Sequence, residues 1–189
     1  MKFCSACGGT LARIVPGGRS HSLFRCTACG EEFRQHPRVL AACFVRCGER
    51  LLWMRRRLAP QKGFWAIPAG FLECGESMAE AASRELYEET GVVLPAERLQ
   101  LYMMGTISFI SEVYVAFHGA VDGVQCHAGD DALEARFFSR HELPWESLAY
   151  PQANHSIIQA YDDIEQGTFG LFHCEMTRDR NRLDRIPEH

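Results

Sequence analysis

Apolar positions in this chain come in short runs suited to strands, with one stretch patterned for a helix. Val39-Leu-Ala-Ala-Cys-Phe-Val45 and Leu51-Leu-Trp-Met54 are nearly unbroken apolar runs, and Arg46-Cys-Gly-Glu-Arg50 between them predicts a hairpin. Phe64-Trp-Ala-Ile-Pro-Ala-Gly70 reads as a short strand leading into a glycine loop. Ser77-Met-Ala-Glu80 has the form of a capping box, in which the serine caps a helix start and Glu80 reaches back. The helix is expected to run to about Thr90, with Gly91 at its end. Ala79, Ala82, Leu86 and Val93 then fall on one side, the face expected to pack on a sheet. Nearer the start, Leu11–Val15 and His21–Arg25 flank Pro16-Gly-Gly-Arg19, a second hairpin signal.

Composition narrows the class. Of 189 residues, 47% are hydrophobic and 23% charged, with a net charge of −4, which is too apolar for disorder and too charged for a membrane protein. No apolar run reaches the roughly 18 residues needed to span a bilayer. The opening Met1-Lys-Phe-Cys has no apolar signal core, which predicts a cytoplasmic protein. Lys and Arg number 20 against 24 Asp and Glu, so no broad nucleic-acid surface and no nucleic-acid partner are expected. Cysteine is the unusual component, 9 residues, an odd number that argues for reduced thiols or metal ligands rather than a disulfide scaffold. Four of them lie within the first 29 residues and the rest are scattered, which predicts two units, 1–35 and 36–189.

Cys4-x2-Cys7 and Cys26-x2-Cys29 have the spacing of a four-cysteine zinc site. Two residues between sulfurs let one tight turn present both thiolates to one ion, and two such turns complete a tetrahedron. Gly8 and Gly30, after each pair, suit such turns. With all four positions filled by protein, the predicted Zn²⁺ is structural. The alternatives are four unligated thiols, which leave so small a unit without a source of stability, or a ribbon that itself binds nucleic acid or a partner.

The helix has a second face. Glu85, Glu88 and Glu89 stand at i, i+3 and i+4, so their carboxylates are expected to converge over one turn. A solvated acidic face is the ordinary reading of a charge run. This helix, however, has no lysine and a single arginine, Arg84, and crowded carboxylates suit a hard divalent cation. Gly70-x5-Glu76-x7-Arg84-Glu85-Leu86-x-Glu88-Glu89-x-Gly91-Val92 matches every position of the Nudix box. His36-Pro37, Gly63-Phe-Trp65, Leu133-Glu134-Ala-Arg-Phe-Phe138, Leu143-Pro144 and a helix near 152–166 extend the likeness over nearly the whole chain. The sequence thus resembles the zinc-ribbon Nudix hydrolases, and is similar to members acting on ADP-ribose and FAD.

That resemblance implies an α/β fold, an α/β/α sandwich around a mixed sheet, preceded by the zinc ribbon. It implies Glu85, Glu88 and Glu89 as ligands of Mg²⁺ or Mn²⁺, with the Ala69 carbonyl beside them. Glu76 and Arg84 would form the ion pair that pins loop to helix, with Gly70 and Gly91 as structural box residues. Glu134 matches the acidic residue many members bring from a loop, as metal ligand or base, so Glu85, Glu89 and Glu134 all remain candidates for the general base. Arg56 aligns with a cation that holds a substrate phosphate, the alternative being a solvated basic turn. A homodimer is expected because dimers are common among relatives.

The implied reaction is metal-dependent hydrolysis of the diphosphate bond in a nucleoside diphosphate derivative, FAD or ADP-ribose favoured, releasing a nucleoside monophosphate. An NADH pyrophosphatase is the first alternative, although Leu101–Phe109 differs from the stretch that marks that branch. A non-catalytic nucleotide-sensing or RNA-binding Nudix module is the other, although the box is complete and only a charged tail, Thr177–His189, is expected after the final helix. Asp130 and Asp131 read as solvated, and His118, His127 and His173 as incidental. Phe64, Trp65 and Phe109 are candidate stacking surfaces that are more often core. Cys43, Cys47, Cys126 and Cys174 read as small buried residues, and Cys74, inside the box loop, as a candidate for oxidation.

Overall fold

The computed structural model describes residues 2–14, 23–34 and 36–187. The hairpin expected at Pro16–Arg19 lies outside the described residues. The chain divides into two compact units, Met1–Pro37 and Arg38–His189.

The first unit is a three-stranded antiparallel sheet of β1 (Leu11–Ile14), β2 (Leu23–Cys26) and β3 (Glu32–Arg34), in that order. Among its described residues, Cys4 and Cys26 alone are fully buried. So little apolar area leaves the cysteine cluster as its main source of order.

The second unit begins with β4 (Arg38–Cys47) and β5 (Arg50–Arg56), joined across Gly48-Glu49 as an antiparallel hairpin. Two short strands follow, β6 (Trp65–Ala66) and β7 (Ala69–Phe71), so Gly70 sits in a strand rather than a loop. After α1 (Met78–Thr90) come β8 (Gln100–Ile107), β9 (Glu112–Ala120), β10 (Ala132–Phe138), α2 (Asn154–Gln166), β11 (Leu171–Met176) and β12 (Asn181–Ile186). They form one mixed sheet in the order β10-β5-β4-β9-β8-β11-β12, with β6 on β5 and β7 on β4. β4 runs parallel to β9, and β8 parallel to β11.

The apolar run of β4 is continuous because both of its faces are covered. Ala41, Cys43 and Val45 pack with Ala81, Ala82 and Leu86 of α1. Ala42 and Phe44, on the other face, pack with Ile157, Ala160 and Tyr161 of α2. The result is an α/β/α sandwich.

Two expectations are corrected. Val93 is 72% exposed, and Val92 and Leu94 are buried instead, because the left-handed turn at Gly91 ends the helical period. The segment after α2 is no mere charged tail. Phe172, Cys174 and Met176 alternate inward on β11 and are buried, and Asn181–Ile186 pairs with them as the edge strand β12.

Candidate functional site

In the first unit, the sulfurs of Cys4, Cys7, Cys26 and Cys29 all lie within 4.8 Å of one another. Gly8 N–H donates to Cys4 O and Gly30 N–H to Cys26 O, closing the two turns that carry the pairs. The Cys29 and Ala28 amides point at the Cys26 sulfur, at 3.5 and 3.4 Å. Those amides lower its pKa to about 6, which favours the thiolate a metal needs.

In the second unit, α1 begins and ends as its residues dictate. Glu80 N–H donates to Ser77 Oγ at 3.3 Å, and Ser77 N–H donates to the Glu80 carboxylate at 2.7 Å. At the other end Gly91, φ 67°, donates its N–H to Tyr87 O. The His127 ring lies over this turn, and a Cβ on Gly91 would come within 1.9 Å of it. Gly91 therefore serves both the reversal of the chain and the seat of His127.

Arg84 is the hub of the polar face. Its Nε and Nη2 grip both Glu76 oxygens at 3.0 and 2.7 Å, and Nη2 also donates to Phe71 O. Its Nη1 donates to Glu85 at 2.7 Å and Glu88 at 3.2 Å. The pairing holds the Glu76 carboxyl below the usual range, and Arg84 is held more firmly protonated. The Glu85 carboxyl lies directly over Gly70, where a Cβ would come within 2.0 Å of it. A glycine is needed at that position because strand and carboxylate approach so closely.

Glu89 differs from its neighbours. It is 8% exposed, and Ala69 N–H donates to its Oε2 at 3.0 Å. Burial pushes its pKa up to about 8 against the pull of the Ala69 amide, while Glu85 and Asp131 raise it further and Arg56 lowers it. Burial likewise raises Glu85, with Arg84 opposing. A buried carboxyl with one amide donor has unused acceptor capacity, and an all-oxygen set suits Mg²⁺ or Mn²⁺. The three glutamates nonetheless do not close on one point as their spacing suggested. Among the described residues the cysteines are the group that gathers within 4.8 Å, whereas Arg84 Nη1 bridges Glu85 and Glu88 and the Ala69 amide holds Glu89.

A cleft of about 410 Å³ is lined by Glu85, Glu88 and Glu89 together with His127, Asp130 and Asp131. His127 and Gly129 donate their amides to Thr90 O and Glu89 O, satisfying carbonyls left open at the end of α1. On its other side the loop is held by Arg57, whose guanidinium donates twice to Ala132 O. Exposed Asp130 and Asp131, read as solvated, and His127, read as incidental, are thereby brought beside the helix glutamates. No spacing in the sequence signals this docking.

Glu134 is placed elsewhere. It stands on β10 opposite Arg55, 4.0 Å from its guanidinium, and is not part of the cleft lining. Arg56 ends β5, close enough to influence Glu89, with its guanidinium 5.5 Å from the Tyr150 ring centroid. Trp65 is core, edge-on to Phe138, whereas Phe64 is 39% exposed and Phe109 half-buried. Among the scattered cysteines only Cys43 and Cys174 are fully buried; Cys47 and Cys126 are half-buried and Cys74 is exposed. No helix among the described residues is long and apolar enough to cross a membrane.

Comparison with known proteins agrees with this geometry. The NUDIX domain model matches residues 34–161. An ADP-ribose pyrophosphatase of Methanocaldococcus jannaschii is 36% identical over 115 residues, covering 58% of this chain and 66% of that protein. The NAD-capped RNA hydrolase NudC of Chromobacterium violaceum is 30% identical over 167 residues, covering 86% of this chain and 59% of that protein. The chain thus spans less than two thirds of these relatives' length. The crystal structure of a NUDIX hydrolase from Nitrosomonas europaea superposes with a TM-score of 0.81 at 29% identity, covering 94% of this chain and all of that one.

Proposed function

Since the chain belongs to the Nudix family, we propose that it hydrolyses the diphosphate bond of a nucleoside diphosphate derivative, FAD or ADP-ribose favoured, and releases a nucleoside monophosphate. The observation that carries this reading is the buried Glu89 carboxyl beside Ala69, opening on one cleft with Glu85 and Glu88. These three, with the Ala69 carbonyl, hold the catalytic cation. A bound Mg²⁺ or Mn²⁺ supplies neutralisation of the diphosphate oxygens and a more acidic, aligned water. The protein's own task is to keep the carboxylates placed and to remove a proton. Arg84 and Glu76 tie the 71–76 segment to α1, Gly70 leaves room for Glu85, and Gly91 ends the helix under His127. The general base is one of Glu85, Glu89 and Glu134. Glu85 and Glu89 have the support of lining the cleft, whereas Glu134 stands on β10 outside that lining. Arg56 holds a substrate phosphate, supported by its influence on Glu89.

Cys4, Cys7, Cys26 and Cys29 hold a structural Zn²⁺, which the sulfur cluster and the lowered Cys26 support. The enzyme is cytoplasmic and a homodimer in this reading. A second reading has the observation that the NAD-capped RNA hydrolase matches across both units: NADH or an NAD-capped end is then the substrate. One experiment decides. Purified protein with Mg²⁺ or Mn²⁺ is offered FAD, ADP-ribose and NADH, and the products are identified. AMP from FAD or ADP-ribose supports the first reading, and AMP from NADH alone the second. No release from any of them leaves a non-catalytic nucleotide-sensing module.

A further inference from the structure

A second cavity, of about 340 Å³, opens at the other end of the sheet. It is lined by Arg46 of β4, Arg98 in the turn before β8, Gln100 of β8, His118 and Ala120 of β9, and Phe169 ahead of β11. Arg46 pairs with Leu51 at the start of β5, whereas Arg56 on the cleft side ends that strand. Five residues of strand separate the two levels by roughly 17 Å at the usual rise. The cavity and the cleft share no lining residue.

Its chemistry is the reverse of the cleft's. The ion pairs among the described residues involve neither Arg46 nor Arg98. Arg98 Nη2 reaches Ala120 O only at 3.5 Å, and the Arg46 guanidinium stands 5.7 Å from the Phe169 ring centroid. His118 stacks flat on Phe169, centroids 4.2 Å apart and planes within 6°. The acid influencing His118, Asp163, is buried and already engaged by Tyr102 Oη at 2.9 Å and Gln159 Nε2 at 2.7 Å. Two guanidinium forks without a carboxylate, beside an amide and an imidazole, match the oxygens of a phosphate. The stacked His118 and Phe169 add a flat, partly apolar wall. The volume lies at the lower end of the roughly 300–1,000 Å³ typical of small-molecule pockets.

The geometry points to this cavity as a binding site for a small phosphomonoester, separate from the carboxylate cleft. Arg46 and Arg98 grip the phosphate, and Gln100 and His118 line its surroundings. The assignment does not depend on the proposed hydrolysis, and its test needs no turnover.

The His118 ring resonances are followed by NMR in the full chain, without added Mg²⁺ or Mn²⁺, during separate titrations with inorganic phosphate and with AMP. Sodium chloride of equal ionic strength is the control. The expected result is a saturable His118 shift that sodium chloride does not reproduce. Affinity should fall about tenfold or more in Arg46→Gln and in Arg98→Gln, as loss of a charged hydrogen-bonding partner implies, and persist in Arg56→Gln. Arg98 lies on an exposed turn, so its replacement keeps the test valid should Arg46→Gln misfold. AMP binding about tenfold tighter than phosphate identifies a mononucleotide, and equal binding shows that the site recognises the phosphate group of the monoester and not its base. The assignment is overturned if neither probe shifts His118 saturably, if sodium chloride does so equally, or if folded Arg98→Gln binds like the parent protein.

Discussion

In Met1–Pro37, four sulfurs crowd within 4.8 Å and hardly any apolar side chain among the described residues is buried. In Arg38–His189, a mixed sheet buries residues against a helix on each face, and its acidic cluster lies at the edge of that core. The first unit places its cysteines on tight turns and leaves its order to what they bind. The second is ordered by packing, and can therefore hold carboxylates in positions that oppose one another. Glu89, buried and pushed up to about 8, is tolerated because the packing beneath it is already complete.

Four measurements test this contrast. Stripping metal with a strong chelator should unfold the first unit alone, since structural zinc contributes about 10–16 kcal/mol of apparent binding free energy in small cysteine sites. Amide exchange in β1–β3 should lose protection while tryptophan emission holds, because Trp53, Trp65 and Trp145 all belong to the second unit. Loss of both signals together would erase the contrast.

Glu88→Gln should lower kcat by about 10²–10⁴-fold, the equivalent of the several kcal/mol a catalytic cation supplies, with an unchanged melting temperature. Glu88 is exposed and carries little of the fold. Full turnover in this variant would remove the metal assignment.

Leu86→Ala, beneath the same helix, should do the opposite in kind. It should cost about 2–5 kcal/mol of stability in denaturant titration, since Leu86 is fully buried.

The fourth effect concerns pH. Glu89 binds its proton more tightly folded than unfolded, so its contribution to stability is complete below pH 4.5 and is lost as pH rises toward about 8. Metal-free protein, followed by tryptophan emission, should lose stability steadily as pH rises across that window. Glu89→Gln should flatten the slope. A slope unchanged in this variant would mean that Glu89 is not the group concerned.

Local features were legible because their causes are local. The Ser77–Glu80 box, the Gly91 stop and the paired cysteines each depend on a few bonded neighbours, and each is present in the structure. The Arg84–Glu76 grip was expected only through family resemblance, and the two side chains do meet. Elsewhere local reading went astray. Three glutamates one turn apart suggested a single point of convergence, but Arg84 Nη1 holds Glu85 and Glu88 while the Ala69 amide holds Glu89. Val93 continued the helical period on paper, two residues beyond where Gly91 had ended it.

The sequence by itself determined the sulfur set, the capped acidic helix and the family, because spacing along a turn or helix fixes direction within a few ångströms. Only tertiary structure decided that His127, Asp130 and Asp131 join the helix glutamates while Glu134 faces Arg55. It also decided that residues beyond α2 complete the sheet, and that Arg46, Arg98 and His118 meet around one cavity. Such meetings depend on which strands become neighbours and where a loop finds open carbonyls to cap. Those choices minimise the free energy of the whole core, and no window of neighbouring residues contains them.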